Sequence, residues 1–181
     1  EDFPQTVVVS TIQELLSQRL DLVVVASANI VHAEQAIAAL EAGIPTVVDK
    51  PMGRDFNETK RIIDVATQSG VPVSTFFNRR WDSDALTIKK VLASGVLGDI
   101  HRMDSRFERF RPEVNTQSWR ENMSAHDGGG QLLDLQPHLI STALDWFGNA
   151  HLVTATVRSI RGAARKWRIS FASSRISPAP R

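Results

Sequence analysis

Asp134 and His138 are four residues apart, just after the run Gly128-Gly129-Gly130. On a helix that spacing stacks a carboxylate and an imidazole on one face, one turn apart. Such a pair can move protons near neutral pH: the imidazole titrates there, and the carboxylate orients it and raises its basicity. Consecutive glycines at the helix start allow a positive φ or a close backbone approach. The same residues also read as a loose loop followed by an exposed i,i+4 pair. A second candidate is Lys50, in Thr46-Val47-Val48-Asp49-Lys50-Pro51. A β-branched run there ends in a carboxylate, a lysine and a proline, which marks a strand end. A cation at the carboxyl end of a strand in an α/β sheet lies where such sheets bind ligands.

Positioning these groups requires a regular scaffold, and the first half of the chain supplies the pattern for one. Thr6–Val9 reads as a short buried strand. Thr11-Ile12-Gln13-Glu14 is a capping box for a short helix to about Gln18. Leu22-Val23-Val24-Val25 is continuously apolar, as in a strand covered on both faces. A loop over 27–31 precedes a helix over 32–42, with Ala33, Ala36, Ala39 and Leu40 toward the sheet and Gly43 as its cap. Strand 46–49 follows, then a helix capped by Asp55 and ending near Gly70, then a strand over 71–77. Alternating strands and helices predict right-handed parallel crossovers and a Rossmann-like sheet. There is no G-x-G-x-x-G, and no glycine before Gly43, so the phosphate-cradling turn of such sheets has no counterpart.

The pattern changes after Asn78-Arg79-Arg80-Trp81. Residues 84–94 read as a helix with Leu86, Ile88, Val91 and Leu92 as its apolar set. Residues 102–110 alternate like an antiparallel strand, and 111–127 read as a polar loop holding Trp119-Arg120. A helix runs from the glycine stretch to about Phe147, with Pro137 inside it predicting a kink beside the Asp134–His138 pair. Residues 152–160 alternate as a further strand. The fold class expected is therefore α/β, a partial Rossmann-like parallel sheet, followed by an incomplete α+β domain with a mostly antiparallel open sheet. The expected domains are 1–78 and 79–163, with a basic, disordered tail over 164–181.

The 181 residues allow one or two domains with a sizeable core. A net charge of +1 gives no overall pull toward nucleic acid or membrane. Seven Lys or Arg lie from Arg158 to Arg181, but only Trp167 and Phe171 interleave them and no nucleic-acid reader motif is present. With no cysteine there is neither a disulfide framework nor a thiolate metal site, and no metal centre is expected. No apolar run reaches the roughly 18 residues of a membrane span. A cytoplasmic location is expected.

Three stretches together resemble the Gfo/Idh/MocA family of NAD(P)-dependent sugar and cyclitol oxidoreductases. The family's E-K-P motif is matched by Asp49-Lys50-Pro51, and its G-G-G-x-x-x-D-x-x-x-H motif by Gly128–Gly130, Asp134 and His138. Ser27-Ala28-Asn29-Ile30-Val31-His32 resembles its T-P-x-x-x-H cofactor loop. Order and spacing fit, over roughly residues 5–163. The resemblance implies hydride transfer between a nicotinamide (NAD or NADP) and a secondary alcohol of a polyol, sugar or cyclitol. His138 would act as base, Asp134 would hold the substrate or the imidazole tautomer, and Lys50 would stabilise the alkoxide. It implies cofactor contacts at Ser27, Asn29, His32, Asp49, Lys50, Pro51 and Asn78, and substrate contacts at Arg80, Trp119, Arg120 and Gln136. His138, Lys50 and His32 each also read as ordinary structural residues. It further implies a homo-oligomer for the full-length protein. Three positions depart from the family: Asp49 stands for Glu, Gln136 for the usual Gly two after the aspartate, and Ser141 for the usual Asp three after the histidine. A chain truncated at both ends, with a non-family tail from about Arg165, is the expectation on this resemblance. An inactive fragment or a non-enzymatic member of the fold is the alternative.

Overall fold

The computed structural model describes residues 3–108, 110 and 112–156, in two compact units, Glu1–Phe76 and Phe77–Arg181. In the first unit, helix α1 (Ile12–Leu16) starts at Thr11, whose hydroxyl accepts the Glu14 N–H while the Glu14 carboxylate accepts the Thr11 N–H. Strand β1 (Val23–Val25), helix α2 (His32–Glu41), strand β2 (Thr46–Asp49), helix α3 (Phe56–Ser69) and strand β3 (Val73–Phe76) follow. The strands are parallel in the order β1-β2-β3, with Val23 beside Thr46 and Thr46 beside Val73. Asp55 caps α3 by accepting the Glu58 N–H at 2.8 Å, and Gly70 ends the helix in the left-handed conformation.

Strand order and crossover hand explain the core. Two successive right-handed crossovers that step the same way across a sheet put both helices on one face. The core lies on that face: Val23, Val25 and Val48 from the sheet, Ala36, Ala39 and Leu40 from α2, and Ile62 and Ala66 from α3, all buried. The expectation that β1 is covered on both faces is corrected. Val24 is 62% exposed while Val23 and Val25 are buried, the period-two signature of a strand covered on one face only. The buried strand expected over Thr6–Val9 is also corrected: the segment joins no ladder, and Val7 and Val8 are exposed. A β-branched run becomes a strand only where a neighbour supplies its hydrogen bonds.

In the second unit a 3-10 turn (Asn78–Trp81) leads into α4 (Ser83–Ala93), and both pack against α6 (Gln131–Phe147). A short helix, α5 (Trp119–Asn122), interrupts the segment read as loop and also packs on α6. Helix α6 continues through Pro137. The antiparallel strand expected over 102–110 is corrected for the described residues, which form no ladder there. Alternation sorts side chains between two faces, but ladder partners make a strand, and 152–156 form none either. The remainder of the strand expected over 152–160, and the tail, lie outside the described residues. Among the described residues no helix is long and apolar enough to cross a membrane, and no cluster of metal-ligating side chains is present.

Candidate functional site

In the first unit the candidate residues gather at the carboxyl ends of β1 and β2. Beyond β2, the Asp49 carboxylate turns back to accept the Lys50 N–H at 2.7 Å, and the Lys50–Pro51 peptide is cis. Pro51 is buried, and Asp49 and Lys50 are half-buried. Beyond β1, the Ser27 hydroxyl donates to Gln35 Oε1 at 2.7 Å, and Asn29 is buried at the start of a 3-10 turn (Asn29–Val31). His32 opens α2 and is 1% exposed. Its Nδ1 lies 2.8 Å from the Pro51 carbonyl oxygen and its Nε2 3.1 Å from the Ser27 carbonyl oxygen. The ring thus joins the two strand-end loops. Further on, Arg54 holds the loop after Pro51 to α3: its backbone N–H donates to Glu58 Oε2 at 2.8 Å and its Nε to Glu58 Oε1 at 2.9 Å. The guanidinium foremost, with the backbone N–H beside it, holds the Glu58 carboxyl below the usual carboxylate range, against the opposing effect of its burial.

In the second unit the glycine run has a definite use at each position. Gly128 and Gly130 have φ of 92° and 90°, the region glycine occupies without strain. A Cβ on Gly129 would overlap the Met123 carbonyl. The run is fastened to the end of α5: the Gly129 N–H donates to the Ser124 carbonyl at 2.8 Å and the Gly130 N–H to the Arg120 carbonyl at 2.6 Å. The Gly130 carbonyl in turn accepts the Asp134 N–H at 3.2 Å, the first bond of α6. Both glycine uses anticipated from sequence, positive φ and close approach, therefore occur side by side. They fix the helix end that carries Asp134 and, one turn on, His138.

His138 is 8% exposed and meets the Phe107 ring edge-on at 6.3 Å. The Arg79 guanidinium lies over Phe107, 5.7 Å from its centroid. His138 and Phe107 belong to the wall of a groove of about 380 Å³, with Ile88 and Leu92 of α4 and Leu139 and Trp146 of α6. Asp134 forms an ion pair with Arg120, whose Nε lies 3.5 Å from Oδ1, and the Arg120 guanidinium stacks on Trp119 at 4.5 Å. Trp119 and Arg120 thus lie on α5, with Arg120 beside Asp134. Arg80 donates from Nε to the buried Ser141 hydroxyl at 2.6 Å and lies over Phe77 at 5.1 Å. Asn78 is exposed at the start of its turn, and Gln136 is half-buried on α6. Sequence reasoning missed Phe107 and Arg79. The alternation over 102–110 reads as a strand and names no partner for Phe107.

Two family models match the sequence: an oxidoreductase family with an NAD-binding Rossmann fold over residues 1–77, and a GFO/IDH/MocA C-terminal domain over residues 85–172. The uncharacterized oxidoreductase YdgJ of Escherichia coli (strain K12) is 40% identical over 165 residues, 91% of this chain and 47% of that protein. The scyllo-inositol 2-dehydrogenase (NADP(+)) IolW of Bacillus subtilis (strain 168) is 37% identical over 161 residues, 88% of this chain and 44% of that protein. Among solved structures, yvaA from Bacillus subtilis superposes with a TM-score of 0.82 at 34% identity, over 93% of this chain and 46% of that one. The chain spans about half the length of the relatives it matches. With both family models and the Rossmann-like parallel sheet in agreement, this chain belongs to the GFO/IDH/MocA oxidoreductase family.

Proposed function

We propose that the protein is an NAD- or NADP-dependent dehydrogenase acting on a secondary alcohol of a polyol, sugar or cyclitol. The observation that carries this reading is α6: a helix whose start is fixed by Gly128–Gly130 and which bears Asp134 and, four residues on, the buried His138. Oxidising an alcohol carbon removes a hydride from carbon and a proton from the hydroxyl, so a base must reach that oxygen. His138 takes the proton. Asp134 hydrogen-bonds the substrate or holds the imidazole in the required tautomer. The Lys50 ammonium stabilises the alkoxide as negative charge develops, a contribution that is large where water is excluded. The nicotinamide ring, when bound, supplies the hydride acceptor. Gln136, Arg80, Trp119 and Arg120 are assigned to the substrate side, Asn78 to the cofactor side. Kinship with IolW favours a cyclitol. The same reading includes a cytoplasmic homo-oligomer.

The chain's own residues fit the cofactor at its nicotinamide and ribose end, where Ser27, Asp49 and Lys50 lie at strand carboxyl ends. No glycine turn for the pyrophosphate occurs within residues 3–42. Backbone donors at such a turn hold the phosphates. A second reading is a binding or regulatory member of the fold without turnover. Reduction of NAD and NADP with a panel of inositols and hexoses, alongside calorimetric titration of both nucleotides, separates the two. Turnover that falls at least a hundredfold in His138→Ala supports the dehydrogenase. Absence of turnover with every substrate, together with binding weaker than micromolar, refutes it in favour of the second reading.

A further inference from the structure

We infer that His32 is a positioning residue, which sets Lys50 through the Pro51 carbonyl, and not a ligand of the cofactor. This rests on the proposed role of Lys50. Both His32 ring nitrogens face carbonyl oxygens of the protein itself, and the ring is 1% exposed, which leaves no ring nitrogen for a ribose or nicotinamide. The two carbonyls belong to Ser27 and Pro51, one beyond β1 and the other beyond the adjacent β2. A neutral imidazole carries one N–H. We take Nδ1, which faces the nearer carbonyl at 2.8 Å, as the donor to Pro51, with Nε2 packed against the Ser27 carbonyl.

The consequence falls on Lys50. On its upstream side the Lys50 N–H is held by the Asp49 carboxylate at 2.7 Å. On its downstream side the ring of Pro51 fixes φ and restricts the residue before it. The Pro51 carbonyl is then held by His32, a residue anchored in the first turn of α2 and packed into the core. The backbone of Lys50 is thereby fixed from both sides, and its ammonium starts from one defined Cα. A catalytic cation displaced by about 1 Å can lose on the order of a hundredfold in rate.

The test is steady-state kinetics of the whole chain with NAD or NADP and its best polyol substrate, in His32→Phe, His32→Asn and His32→Gln. The Asn amide nitrogen occupies the place of Nδ1 and keeps the donor to Pro51, whereas the Gln amide nitrogen reaches toward Ser27. The expectation is a fall in kcat of about tenfold or more for Phe and Gln, with Asn within about threefold of wild type. The dissociation constant for the nucleotide should change by a smaller factor than kcat in all three. A double-mutant cycle adds a readout that mere structural damage would not move: in a Lys50→Met background, His32→Phe should cost less than about threefold further, because the two act as one unit. If His32→Phe does not fold, the Asn and Gln variants decide alone. Rescue by Gln and not Asn, weakened nucleotide binding at full kcat, or additive losses in the cycle would overturn the assignment. An active wild type whose His32 variants all keep kcat refutes the positioning role alone. A wild type inactive on every substrate refutes the dehydrogenase reading, and the role given to His32 falls with it.

Discussion

Replacing Gly129 with alanine tests whether the glycine run is a tight joint or a loose loop. The new methyl would overlap the Met123 carbonyl and come within 3.0 Å of the Met123 Cβ. Two routes are open. The chain can stay in place and absorb the overlap, which for an added methylene in a packed site costs about 1–3 kcal/mol. The obstacle is backbone and not the mobile end of a side chain, so the upper end applies. Alternatively the run can lift off α5 and lose the Gly129-to-Ser124 and Gly130-to-Arg120 hydrogen bonds. At about 1 kcal/mol each that route costs roughly 2 kcal/mol. The cheaper route sets the answer, so Gly129→Ala should destabilise the second unit by about 2 kcal/mol, roughly thirtyfold in its unfolding equilibrium.

Lifting off also moves the start of α6, because the Gly130 carbonyl takes part in its first hydrogen bond, from Asp134. Turnover of the variant should therefore fall about a hundredfold even at temperatures where it is fully folded. Urea unfolding followed by tryptophan fluorescence reads the first effect, since Trp119 sits on α5, and the initial rate at 25 °C reads the second. A variant within about 0.5 kcal/mol of wild type at an unchanged denaturant slope would refute the tight joint. Lost stability with full activity would show that α6 does not depend on the run for its placement.

Two further outcomes follow from single contacts. The Glu58 carboxyl is held below its ordinary range by Arg54, so its contribution to stability is complete above the unfolded-state value and is lost as pH falls through the lowered one. Glu58→Gln should thus cost about 1–2 kcal/mol at pH 7, and the gap to wild type in urea midpoint should close as pH falls below the ordinary carboxylate range; a gap independent of pH rules out the ion pair as its source. Ser141→Ala removes the hydroxyl that accepts from Arg80 and should cost about 1–3 kcal/mol, whereas Ser141→Asp should keep that contact and be stable within about 0.5 kcal/mol of wild type; equal loss in both variants would rule out the hydroxyl as Arg80's anchor.

The first unit was legible because local rules and tertiary outcome agree there. The Thr11–Glu14 box, the Asp55 cap and the Gly70 stop are read from a few adjacent residues, and each forms as written. The strand Thr46–Asp49 ends at the carboxylate that precedes Lys50. What failed depended on neighbours. Leu22–Val25 is apolar throughout, yet whether its second face is covered is decided by crossover geometry, which a four-residue window does not contain. Residues 6–9 and 102–108 have strand composition and no ladder partner. The site divides the same way: the placement of Asp134 and His138 on one helix was visible from spacing, whereas the Phe107 edge against His138 and the Arg80–Ser141 bond join residues 31 and 61 positions apart.

The two halves of the proposed machinery share one physical device. In each, a motif residue lies against a protein carbonyl. His32 meets the carbonyls of Ser27 and Pro51, and the Gly129 and Gly130 amides meet those of Ser124 and Arg120. A carbonyl near a cleft must find a donor or stay in water. A donor built into the neighbouring helix start satisfies it and fixes the loop at once. The residues proposed for the chemistry, Lys50, Asp134 and His138, then have backbones held by others. On this account the glycines and His32 constrain placement and leave reactivity to their neighbours, so their substitution should depress kcat without changing which protons the reaction moves.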